Sequence, residues 1–77
     1  MSAVGIGVIG AGVISDTYLE NLASFPDVEV LIVGDIDTAR AAAQAAKHGV
    51  PAHGDGAAVL AHDGVQIVVN LTIPAVH

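Results

Sequence analysis

Gly10-Ala11-Gly12-Val13-Ile14-Ser15 occupies the frame G-x-G-x-x-G, with Ser15 in the third glycine's place. Each position has a physical duty in such a frame. Gly10 permits a tight turn, and Gly12 lacks the Cβ that would hold a backbone away from a diphosphate. If a helix opens near Val13, its free N–H groups and positive dipole end hold the anion. Ser15 adds one small polar atom where a glycine would let the helix lie close on its sheet, which predicts a slightly displaced helix. Asp35 follows Ser15 by 20 residues. A carboxylate at this spacing accepts hydrogen bonds from the hydroxyls of an adenosine ribose and repels a 2′-phosphate. Ile36-Asp37-Thr38 offers no Arg or Lys to receive such a phosphate. NAD is therefore expected over NADP, with Arg40, a turn into the next helix, as the one feature pointing the other way. Ile36 is placed to cover an adenine face. The plainer alternative is that both glycines only serve a tight turn.

These residues require a strand before the glycines, a helix after them and a second strand ending at the acid. Val4-Gly5-Ile6-Gly7-Val8-Ile9 reads as that first strand. From Val13 to about Phe25, Ile14, Tyr18, Leu22 and Phe25 recur at helical spacing and predict one apolar stripe. Pro26 closes this helix, and Val28 to Gly34 forms a second strand whose apolar end suits a sheet covered on both faces. Asp37-Thr38 caps an alanine-rich helix through Ala46 that carries Arg40, Gln44 and Lys47 on one side, with Gly49 as its stop. Val50 to His53 is an edge strand, Ala57 to His62 a short helix, and Gln66 to Thr72 a fourth strand stopped by Pro74. This alternation specifies an α/β fold: a Rossmann-type parallel sheet with helices on both faces, incomplete at about four strands.

Composition narrows the chemistry further. The chain has 77 residues, 53% of them hydrophobic and only 13% charged, against about 25% charged in an average soluble domain. So small and uncharged a unit is expected to sit against more protein. Two Lys and Arg against eight Asp and Glu give a formal charge of −6, which argues against nucleic acid and against anionic membrane surfaces. The apolar runs stop well short of the roughly 20 residues of a bilayer span, and Met1-Ser2-Ala3-Val4 has no basic lead-in of a signal peptide. The default location is cytoplasmic. There is no Cys, and hence no thiolate chemistry.

Other sites fit poorly. No G-K-[ST] follows the glycines, so the loop is not a P-loop. Methyltransferase glycines usually follow an acidic residue on the first strand, whereas Val8-Ile9 precede Gly10 here. His48, His53, His62 and His77 lie on different elements with no i,i+4 pair, so no shared metal site is expected, and the first three read as solvated. Asp16 and Glu20 form a like-charge pair that an exposed helix face accounts for.

With these segments in view, the chain resembles the Gfo/Idh/MocA oxidoreductases, the glucose-fructose oxidoreductase and inositol dehydrogenase family. The resemblance is carried by Val4 to Ser15, by Gly34-Asp35-Ile36-Asp37 with Ala39-Arg40-Ala41, and by Val65 to His77 with its Thr-x-Pro-x-x-His ending. It covers essentially the whole chain, and the last segment is the most specific. The resemblance implies that Gly10, Gly12, Val13 and Ile14 approach the pyrophosphate and that Asp35 and Ile36 hold the adenosine. Thr72, Ile73, Pro74 and His77 would line the nicotinamide side, although His77 also reads as an ordinary helix-start residue. Members of the family continue to a Glu-Lys-Pro segment whose lysine assists proton transfer, and then to a domain that binds substrate and mediates oligomerisation. Residues 1–77 thus correspond to the N-terminal part of the dinucleotide-binding domain, without the substrate domain, and contain no assignable catalytic residue. The expected parent is an NAD-dependent homo-oligomeric enzyme moving hydride between nicotinamide and a sugar, polyol or related hydroxylated small molecule. The alternative is a non-enzymatic NAD-sensing module.

Overall fold

The computed structural model describes residues 3–10 and 12–71. In chain order these form β1 (Val4–Ile9), α1 (Val13–Ala23), β2 (Val28–Gly34), α2 (Thr38–His48), β3 (Ala52–Gly54), α3 (Gly56–Ala61) and β4 (Ile67–Asn70). The strands make one all-parallel sheet in the order β3-β2-β1-β4. The expected alternation and the Rossmann-type arrangement hold. Boundaries shift by a residue or two at α1, α2, β3 and α3. β4 is shorter than expected, and the predicted strand end at Thr72 lies outside the described residues.

The sheet's two faces are written into β1 by alternation. Ile6 and Val8 point to one face, where Leu19 of α1, Val33 of β2 and Ala41 of α2 complete a buried cluster. Gly5 and Gly7 point to the other face, which receives α3. A Cβ on Gly7 would stand 2.5 Å from Val59 Cγ1, and one on Gly34 would stand 2.5 Å from Val59 Cγ2. Val59 is fully buried. Its two methyls therefore occupy the space that two absent side chains leave, which is how a six-residue helix packs closely enough to matter.

Strand β2 carries one residue more than its neighbour needs. Ile6 pairs with Val30 and Gly7 with Ile32, so Leu31 is an inserted residue. A Cβ on Gly5 would lie 2.8 Å from Leu31 Cδ1, which puts this side chain over the glycine face. Beyond it Ile32, Val33 and Gly34 are all buried, as the apolar end of the strand requires.

The apolar stripe expected along α1 is displaced. Tyr18 is 42% exposed and Phe25 56%, whereas Leu19 is 1% exposed and Ser15 is fully buried. The helix faces the sheet along Ser15, Leu19 and Leu22, one residue and hence about 100° from the Tyr18 side. A small side chain in the first turn lets that face come down on the sheet, and its hydroxyl is satisfied locally. No described helix is long and apolar enough to cross a membrane.

Candidate functional site

The glycine turn and the acidic residue meet at the carboxyl ends of β1 and β2. Ile9 pairs with Gly34, and the Gly10 N–H donates to the Gly34 carbonyl at 2.7 Å, so Gly10 and Asp35 leave neighbouring strands side by side. On the other flank the Leu71 N–H donates to the Ile9 carbonyl at 2.8 Å. The turn therefore sits between β2 and β4, where strand order reverses, and open α/β sheets take their ligands in the crevice at that point.

The glycines of the turn differ in what they require. Gly10 has φ of 106°, a conformation that side chains resist, so the chain turn alone demands glycine there. Gly12 is the N-cap of α1 with φ of −78° and ψ of −171°, an extended conformation open to any residue. A Cβ on Gly12 would meet nothing within 4 Å among the described residues. Neither backbone nor packing explains this glycine; a ligand approaching the backbone would.

Helix α1 also lacks a side-chain cap at its N-terminus. The Ser15 hydroxyl is the nearest candidate, but it donates to the Gly12 carbonyl at 2.6 Å, which also accepts the Ser15 N–H at 3.0 Å, so this hydroxyl caps no N–H group of the first turn. A cradle with an open Cβ position and uncapped amide donors fits a diphosphate. Asp35 lies beside it. One of its carboxylate oxygens accepts from the Asp37 N–H at 2.9 Å, and this short turn fixes the side chain's direction. Ile36 between them is 98% exposed, a large apolar side chain held at the rim.

Gly10, Gly12, Asp35 and Ile36 are thus brought to one edge, together with the backbone of Val13 and Ile14, the first residues of α1. Thr72, Ile73, Pro74 and His77 lie outside the described residues. A cavity of about 220 Å³ opens elsewhere, at the opposite ends of the strands among Leu19, Leu22, Val28, Val30, Val50 and Pro51.

Two readings of side chains need correction. Asp16 is not merely a solvated charge beside Glu20, and His48 is not a solvated helix end. Asp16 Oδ1 accepts from His48 Nε2 at 2.8 Å, from Gln44 Nε2 at 3.0 Å and from Lys47 Nζ at 3.0 Å. The hydrogen bonds from His48, Gln44 and Lys47 hold its carboxyl well below the usual carboxylate range. The same Gln44 nitrogen donates to Ser15 Oγ at 2.8 Å. The cause lies in α2: Ala41, Gln44, Ala45 and His48 share the face turned inward, and the small alanines let the longer polar side chains reach α1. Positions 44, 47 and 48 are spaced as one helical patch, the only sequence signal of this contact. His53 remains exposed as expected, and His62 Nδ1 accepts from the Gly64 N–H at 3.1 Å.

Comparison with known proteins agrees with this geometry. The family model for Gfo/Idh/MocA, described as an oxidoreductase family with an NAD-binding Rossmann fold, matches residues 4–77. No curated protein matches at a significant level. Among solved structures, the chain is similar to myo-inositol dehydrogenase from Lactobacillus casei in complex with NAD(H) and myo-inositol, at 26% identity and TM-score 0.84 over 97% of this chain and 23% of that one. It is similar to GenD2 from gentamicin A biosynthesis in complex with NAD, at 28% identity and TM-score 0.82 over 94% of this chain and 21% of that one. A variant of KijD10, a 3-ketoreductase from Actinomadura kijaniata in complex with TDP-benzene and NADP, matches at 26% identity and TM-score 0.80 over 87% of this chain and 21% of that one. The chain spans about a fifth of the length of these proteins. Both nicotinamide cofactors occur among them.

Proposed function

The chain belongs to the Gfo/Idh/MocA oxidoreductase family, and from that membership we propose that residues 1–77 are the N-terminal part of the dinucleotide-binding domain of an NAD-dependent dehydrogenase. The backbone of Gly10, Gly12, Val13 and Ile14 receives the diphosphate. Asp35 accepts from the adenosine ribose hydroxyls, and Ile36 lies against the adenine. Thr72, Ile73, Pro74 and His77 would line the nicotinamide side, as the family resemblance implies. Bound there, the cofactor supplies or accepts a hydride at C4 of its nicotinamide ring. The substrate of the whole protein is a sugar, polyol or related hydroxylated molecule; the inositol bound by one similar dehydrogenase supports this class. Residues 1–77 alone bind cofactor without turnover.

One observation carries this reading: the uncapped start of α1, with open space at the Gly12 Cβ position, stands beside Asp35. NAD is favoured over NADP because a 2′-phosphate would meet the Asp35 carboxylate and find no basic residue between Ile36 and Ala39. Isothermal titration should give NAD binding with a lower Kd than NADP. Equal or reversed affinities would remove the assignment of Asp35, and no binding of either would remove the cofactor reading.

A further inference from the structure

The proposed half-sites for diphosphate and ribose belong to different elements, the first at the start of α1 and the second between β2 and α2. They must keep a fixed separation for one ligand to fill both. Across the helix layer this separation is held by Gln44. Its side-chain nitrogen lies 2.8 Å from Ser15 Oγ and 3.0 Å from Asp16 Oδ1. An amide nitrogen has two hydrogens, so both are given to consecutive residues of α1. Ser15 Oγ accepts one of them and directs its own hydrogen to the Gly12 carbonyl at 2.6 Å. The chain of donors therefore runs one way, from the α2 amide through the α1 hydroxyl to the carbonyl of the N-cap residue. Ser15 is fully buried, so water is shut out at the middle of this path. At its other end α2 is joined to Asp35, whose carboxylate accepts the Asp37 N–H at the helix cap. Ser15 stands where the glycine frame would place a third glycine, and glycine has no hydroxyl to pass the contact on.

We infer that Gln44 is a positioning residue that acts through Ser15 to hold the diphosphate turn in register with Asp35, so that ligands spanning both half-sites depend on it and ligands filling only the ribose half-site do not. This rests on the cofactor reading above. Asp16, clamped by Gln44, Lys47 and His48, anchors the amide so that its second hydrogen stays aimed at Ser15.

Titrations with NAD, with ADP and with adenosine measured as a competitor of ADP test the inference. Gln44→Ala and Ser15→Ala should each weaken NAD and ADP by about three- to tenfold, as expected for a lost hydrogen bond, while adenosine changes by less than about twofold. The double variant should lose no more than either single one, because both interrupt the same chain. Should Gln44→Ala fail to fold, Ser15→Ala keeps the packing volume and the Gln44–Asp16 contact and carries the same expectation. Equal losses for adenosine and ADP, unchanged ADP affinity, or additive losses in the double variant would overturn the role of Gln44 while leaving the cofactor reading intact. An unaltered protein that binds neither NAD nor ADP would overturn both.

Discussion

Helices α1 and α2 each begin at the carboxyl end of a strand in the same sheet, yet their first turns are finished differently. Asp37 Oδ1 accepts from the Arg40 N–H at 3.1 Å and closes the start of α2. The short α3 is closed the same way, with Asp55 Oδ1 accepting from the Ala58 N–H at 2.8 Å. At α1 the N-cap is Gly12, with no side-chain cap. Its neighbouring hydroxyl is turned to a carbonyl instead of an amide. An acidic cap contributes about 1 kcal/mol relative to an inert side chain, so the chain forgoes a small gain at one helix and takes it at two. On the cofactor reading proposed above, the difference separates amide donors used for stability from amide donors kept for a ligand.

The sharpest way to break the comparison is to give α1 the cap its neighbours have. Gly12→Asp suits the extended backbone at this position and should leave stability unchanged or raised by a few tenths of a kcal/mol, as read by urea unfolding. It should also weaken NAD by about a hundredfold or more, because a carboxylate then occupies the diphosphate's place. Retained NAD affinity would mean that the open amide donors are not the anion site. A smaller effect belongs to the neighbouring acid. Asp35→Ala should cost about tenfold in NAD affinity and narrow the gap to NADP, and calorimetry that finds the gap unaltered would assign cofactor choice elsewhere.

The capped helices should respond in the opposite sense. Asp55→Ala should lower unfolding stability by about 1 kcal/mol while leaving NAD affinity within about twofold. A large loss of affinity there would show that the caps are not separate from the site. The weakest response is to acid. The folded state holds the Asp16 carboxyl below its ordinary value of 3.8, so its contribution is complete above that pH and is lost as pH falls through the lower folded value. Unfolding midpoints followed from about pH 5 to about pH 2.5 should therefore fall less steeply in Asp16→Asn than in the unaltered protein. Parallel curves would leave the contact with α2 without energetic weight.

Local features of this molecule were legible in the sequence because their causes are local. Gly10 takes a positive φ, Asp37 caps α2 and Gly49 ends it in the left-handed conformation, each within a few residues of the signal. The strand order around β1 follows from alternation and crossover rules that need no contact information. The inward face of α1 was not legible, since Tyr18 and Phe25 share helical spacing with Leu22 as well as Leu19 does. The line that faces the sheet carries the small Ser15 in its first turn. The contact between Asp16 and α2 was hidden for a different reason: its partners lie about thirty residues on, and nothing near Asp16 announces them. The resemblance at Thr72, Ile73, Pro74 and His77 falls outside the described residues, so the half of the candidate site nearest the nicotinamide stands on sequence alone.

The inserted Leu31 makes chain length between the two half-sites elastic. Val28 and Val30 before it, and Val33 after it, already face α1 and α2 in a regular two-residue alternation once Leu31 is left out of the count. A three-base deletion of its codon would therefore straighten β2 without turning over any other side chain, and Gly34 would still meet Val59 while Asp35 left the sheet beside Gly10. Thermal denaturation of that shortened protein should register the loss of Leu31's own packing over Gly5 and Gly64. NAD affinity should hold. Spacing along the gene is a loose ruler for this site, and the sheet's edge is the strict one.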